Sequence, residues 1–184
     1  MSSKNLFRWS GLAALLGGVL LPLHWILEFA MISSDSTLSD TLGFIATTLL
    51  VFGIMGIYSY QIKETRVLGF FGFLLTSISN CVSLAQSWLP GRGQLVGVPG
   101  VLGPLTGFTL FPGFLLLGIS SWQANKLPRW TAVLWIIGAA FIVPGYPLST
   151  MGGSILGYGL VIIGGTVLGL GLVGAGVKLW SGMD

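Results

Sequence analysis

Lysine and arginine occupy only eight positions in this chain, and seven of them recur at intervals set by long apolar runs. In order they are Lys4 and Arg8, Lys63 and Arg66, Lys126 and Arg129, and Lys178, with Arg92 alone outside the series. The stretches 9–27, 41–62, 67–91, 93–125 and 130–177 carry no charged side chain. Crossing the hydrocarbon core of a bilayer takes about 20 apolar residues in a helix. The first three runs suit one crossing each. The fourth suits one crossing with a Gly/Pro-rich approach, and the last suits two crossings with a turn around 144–153. This reading predicts six helices, at about 9–31, 41–61, 67–89, 103–122, 130–147 and 153–179.

Composition makes lipid the required solvent. Hydrophobic residues are 53% of the chain and charged residues 7%, against about 25% charged in a soluble domain. Such a chain cannot cover its surface with polar side chains. The net charge of +3 sits at span ends rather than in one patch, so it fits lipid headgroups and not nucleic acid. One cysteine, Cys81, excludes an internal disulfide or a multi-cysteine metal motif. A single histidine, His24, excludes a bis-histidine haem within one chain. The N-terminal run extends to about Ile32 with no convincing cleavage site, so it is expected to be a retained span rather than a signal peptide.

Six spans place both termini on one side, together with the seven cations, Glu64 and Asp184. Arg92, Glu28, Asp35 and Asp40 fall on the other. By the positive-inside rule both termini are expected in the cytoplasm. Trp9, Trp130 and Trp180 lie at that boundary and Trp88 near the opposite one, as interfacial aromatic belts do.

The even-numbered spans end alike. Gly56-Ile57-Tyr58-Ser59-Tyr60-Gln61 closes the second, Gly118-Ile119-Ser120-Ser121-Trp122-Gln123 the fourth, and Gly176-Val177-Lys178-Leu179-Trp180 the sixth. The odd spans open on Arg8-Trp9-Ser10-Gly11, Arg66-Val67-Leu68-Gly69 and Arg129-Trp130-Thr131-Ala132. The expected fold is therefore an all-α, polytopic bundle of six transmembrane helices, arranged as three parallel-inserted hairpins in one domain spanning 1–184. The hairpins would be repeats at 1–62, 63–125 and 126–184, from duplication or from convergent boundary chemistry. In these features the chain resembles short, uncharacterised six-helix bacterial membrane proteins, with Gly-Leu-Gly-rich spans ending in a Gly-aromatic-basic boundary. The resemblance implies a bacterial cytoplasmic membrane and carries no activity.

Glycine is abundant, at 29 residues, and small residues let helix backbones approach in lipid. The last span, with Gly153, Gly157, Gly165 and Gly169 at four-residue spacings, is expected to be the most protein-covered. Its glycines pack within the chain or form a homo-oligomer or membrane-complex contact. Pro90, Pro99, Pro104 and Pro112 suggest an external loop over about 90–102 or a fourth helix broken near Pro112.

Five residues form the candidate polar pocket: His24, Glu28, Asn80, Gln86 and Arg92. His24 and Glu28 are one turn apart, so the carboxylate could fix the imidazole tautomer. Alternatives are a headgroup-level pair or a histidine ligating a haem or chlorophyll metal. Asn80, with Ser77, Ser79, Ser83, Gln86 and Ser87, makes a polar stripe that serves as interhelical glue or as a cavity wall. Arg92 could close over it and pair with Glu28, Asp35 or Asp40. No nucleotide loop, hydrolase elbow, zinc motif or Cys-x-x-Cys occurs. No catalytic residue, metal or cofactor is assigned. The expected function is a non-enzymatic integral membrane protein, accessory or lipid/hydrophobe-binding, with an external working face. The alternative is a small-solute permease, and a lipid enzyme using His24 and Glu28 is a distant third.

Overall fold

The computed structural model describes residues 3–30, 37–88, 102–152 and 154–181. Five helical segments account for nearly all of them: α1 Ser3–Ala30, α2 Thr37–Trp88, α3 Leu102–Ala124, α4 Arg129–Gly152 and α5 Ile155–Ser181. By length and composition all five could cross a membrane. The expectation of six separate helices is corrected to five, because the second and third merge into the 52-residue α2.

That merger has a single-residue cause. Arg66 leaves the helix with φ 49° and ψ −146°, and helical residues resume on both sides. A straight helix would place Tyr58 and Phe73 about 22 Å apart. Their rings instead stack at 4.6 Å with planes 9° apart, so α2 doubles back at Arg66. The limbs are 37–65 and 67–88. Thr65 packs into the space where Gly69 lacks a side chain, which lets the reversal occupy one residue and leaves no loop.

The other boundaries also follow from local chemistry. At the end of α3, Asn125 takes φ 52° and donates its backbone N–H to the Ser121 carbonyl at 3.1 Å. Asparagine tolerates the left-handed region better than most residues and so ends helices there. The next helix starts after Pro128, whose carbonyl accepts from the Thr131 N–H at 2.9 Å and the Thr131 hydroxyl at 2.7 Å. The expected end of the fifth helix near residue 147 is corrected: α4 runs through Pro144 and Pro147 to Gly152. Likewise α3 continues through Pro112. Most of the stretch expected to form the external loop, 90–101, lies outside the described residues.

The helices pack as a closed ring: α1 on α2, α2 on α3, α3 on α4, α4 on α5, and α5 back on α1. Each contact runs antiparallel, and glycines show the register. Gly56, Gly53, Gly17 and Gly43 bring Ser10 to Gly56, Ala14 to Gly53, Gly17 to Leu50 and His24 to Gly43. Position numbers rise along α1 as they fall along the first limb of α2. Gly72 meets Leu117 and Gly113 meets Thr76 between the second limb and α3.

The α1–α5 seam brings backbone against backbone. A Cβ on Gly11 would lie 2.8 Å from the Gly176 carbonyl, and one on Gly176 would lie 2.6 Å from the Gly11 carbonyl. One heptad along each helix, Gly18 and Gly169 repeat the arrangement. Gly138 and Gly164 do so between α4 and α5, at 2.7 and 2.8 Å. Where neither residue has a side chain, backbones touch and gain dispersion and weak Cα–H···O contacts. Between these seams sits the apolar interior, including Leu50, Ile54, Ile57, Phe114, Leu117, Trp135, Ile142, Leu168 and Leu172. Phe114 and Trp135 meet edge to face at 6.5 Å, a favoured aromatic geometry.

Candidate functional site

His24 projects from α1 toward the start of α2. Its Nδ1 lies 2.9 Å from the Ser39 carbonyl oxygen and 3.2 Å from the Ser39 hydroxyl. A carbonyl can only accept, so Nδ1 carries the hydrogen and donates to it. The ring lies flat against Gly43, where a Cβ would sit 2.8 Å from Cε1. The imidazole thus joins α1 to the first limb of α2. The expected helix began at 41, so the sequence did not reveal Ser39 as its partner.

Asn80 takes a different role on the second limb. It is buried, and its Nδ2 donates to the Thr76 carbonyl of its own helix at 2.7 Å. Neighbouring Ser79 reaches across to the Thr106 carbonyl of α3 at 3.0 Å. Thr76 is buried and bonds the Gly72 carbonyl at 2.8 Å. This part of the stripe therefore holds α2 against α3, with Asn80 satisfied locally. Cys81 is exposed.

His24 bonds to the first limb of α2 and Asn80 lies on the second. They stand at similar heights, 16 residues from Arg8 and 14 residues from Arg66, or about 24 and 21 Å of helix. Glu28 lies on α1 one turn beyond His24 and Gln86 near the end of α2; both side chains lie outside the described residues, as does Arg92. Among the described residues, no three His, Cys, Asp or Glu side chains converge as a metal site would need.

A second polar cluster lies at the basic end, where the sequence showed only a boundary motif. Gln61, Ser121 and Thr65 are all buried. Gln61 Nε2 donates to Ser121 Oγ at 2.7 Å, tying α2 to α3. Gln61 Oε1 and Thr65 Oγ1 have no hydrogen-bond partner, an arrangement that costs free energy in a dry interior. Just outside, Lys126 Nζ and Glu64 Oε1 pair at 3.1 Å. The matched motif positions take unlike surroundings: Ser59 is exposed and Ser121 buried, Gln61 buried and Gln123 exposed. Periodicity across the α2 turn would have been the signal, since Gln61 and Thr65 share a helical face one turn apart.

Comparisons with protein-family models, with curated proteins and with solved structures gave no match. The functional reading therefore rests on the chain itself.

Proposed function

We propose that this chain is a non-enzymatic integral membrane protein that crosses the bilayer six times, with both termini and the basic end in the cytoplasm. It acts as an accessory or lipid/hydrophobe-binding protein of the bacterial cytoplasmic membrane, with an external working face. The observation that carries the membrane reading is the distribution of large apolar side chains left uncovered on every helix. They include Val19 on α1, Phe52 and Phe71 on the two limbs of α2, Phe108 on α3, Val143 on α4, and Ile163, Leu170 and Val177 on α5. Water would make such a surface aggregate, whereas lipid covers it.

The ring supports the reading of six crossings. Elements that alternate in direction can close antiparallel only when their number is even. Gly11–Gly176 and Gly18–Gly169 make α1 and α5 antiparallel, and the reversal at Arg66 supplies the extra pass. Trp9, Trp122, Trp130 and Trp180 are exposed near the basic end, where an interfacial belt belongs.

Binding rather than transport is favoured by how the interior polar groups are used. Asn80, Thr76, Thr109 and Ser120 donate to carbonyls of their own helices, and Ser79 to that of α3. The permease reading draws on His24, Glu28, Asn80, Gln86 and Arg92 and requires water to reach Asn80, which is buried. A cysteine at Asn80 would then react from outside with a polar thiol reagent in a Cys81→Ser background.

The deciding experiment is native mass spectrometry, with an absorption spectrum, on protein purified in mild detergent. A lipid, quinone or pigment held in stoichiometric amount supports the binding reading. A defined complex with a membrane partner or a second copy supports the accessory role. An empty monomer whose Asn80→Cys variant labels from outside would overturn both in favour of the permease.

A further inference from the structure

Toward the basic end, α3 and α4 enclose an open groove of about 420 Å³ lined by Ile119, Trp122 and Gln123 on one side and Val133, Ile136 and Ile137 on the other. Each helix contributes positions i, i+3 and i+4, so each presents one continuous stripe. The groove lies beside a close approach of the pair, where a Cβ on Gly118 would sit 2.8 Å from Ile136 Cγ1 and 3.1 Å from the Ala132 carbonyl. Five of its six lining side chains are largely apolar.

A cation stands at one end of it. The Arg129 guanidinium carbon lies 5.7 Å from the centre of the Trp122 ring, and Trp122 is itself a wall of the groove. Arg129 Nε donates to Asn125 Oδ1 at 3.1 Å, a neutral acceptor. Glu64, an acid of this end, is engaged by Lys126, so among the described residues no carboxylate neutralises Arg129. The stacked, tethered guanidinium is held beside an apolar trough, and its fork suits a phosphate.

We propose that this groove is a binding site for one anionic phospholipid, with an acyl chain along the α3–α4 trough and the headgroup phosphate on Arg129. Charge complementarity selects this occupant over a zwitterionic lipid or a neutral hydrophobe. The site lies in the leaflet that anionic lipid and the basic residues share. This inference rests on the proposed membrane crossing and lipid binding, and places one contact at the basic end, away from the His24 end.

The test is a lipid titration of the delipidated full-length protein, read by native mass spectrometry, using phosphatidylglycerol and phosphatidylcholine with identical acyl chains. One phosphatidylglycerol should bind preferentially, by roughly fivefold, the ratio expected for one basic residue at an anionic surface. Arg129→Gln should remove the preference but retain chain binding. Ile137→Trp should fill the trough and lose the single bound lipid. Gln123→Trp provides a second filling variant should the first fail to fold. Equal binding of the two lipids, a preference unchanged by Arg129→Gln, or a bound lipid that survives a folded trough-filling variant would overturn the site. Release of the wild-type protein from membranes by alkaline carbonate would instead overturn the membrane reading beneath it.

Discussion

At Arg66 a long charged residue holds a conformation that mostly glycine adopts, φ 49° with ψ −146°. A branched side chain would worsen the clash between Cβ and backbone, while glycine would relieve it. Arg66→Gly is therefore expected to retain or raise the thermal midpoint in detergent, and Arg66→Val to lose about 1–3 kcal/mol relative to that glycine variant. Equal midpoints for the two would contradict the strained turn. Five residues earlier, Gln61 has spent its amide N–H on Ser121 while its carbonyl lacks a partner. Ser121→Ala should cost about 1–3 kcal/mol by stranding the amide as well. The double variant Gln61→Leu with Ser121→Ala should recover much of that loss, because replacing both partners removes the buried polar demand. Chemical denaturation of the wild type and these two variants checks the order.

Among the elements, α5 shows why glycine is placed where it is. Gly169 faces the Gly18 carbonyl and Pro22 on α1, and Gly165 faces the Trp25 ring. Proline at position 22 has no N–H to give the Gly18 carbonyl, so the close α-hydrogens of Gly169 offer that oxygen a weak substitute. Gly159, on the same helix, has nothing within 4 Å of where a Cβ would be. Gly169→Leu is expected to open the α1–α5 seam, to cost more than about 2 kcal/mol of stability through overpacking, and so to lower the midpoint sharply. Gly159→Leu should change it little. Comparable losses at both positions, measured by thermal unfolding, would show that the seam is not where α5 is held.

Much of this architecture was legible in the charge pattern, because a charge-free run of sufficient length has few alternatives to a helix. The runs around α1, α3, α4 and α5 all became helices. The single-residue turn at Arg66 was not legible, since Lys63, Glu64 and Arg66 read as a loop between spans. Nor was the continuation of α4 through Pro144 and Pro147: proline's usual meaning in water is weakened where neighbouring helices support the interrupted one. The candidate pocket was legible only as polar residue types. The partner of His24, Ser39, depends on the register between helices, which a sequence read one span at a time does not contain, whereas Asn80 turns to its own helix at Thr76.

For the whole molecule, the alternating ring and the reversal at Arg66 place residues 63, 126 and 181 at one end and residue 40 at the other. Lys63, Lys126, Ser181 and Asp40 are all exposed, so cysteines there should report without disturbing the interior. The most direct test is to introduce each cysteine singly in a Cys81→Ser background and label sealed vesicles of both orientations with an impermeant maleimide. The six-crossing account predicts that Lys63→Cys, Lys126→Cys and Ser181→Cys react only from the cytoplasmic face, and Asp40→Cys only from the opposite face. Labelling of Lys126→Cys and Ser181→Cys from different faces, or of Lys63→Cys and Asp40→Cys from the same face, would contradict it.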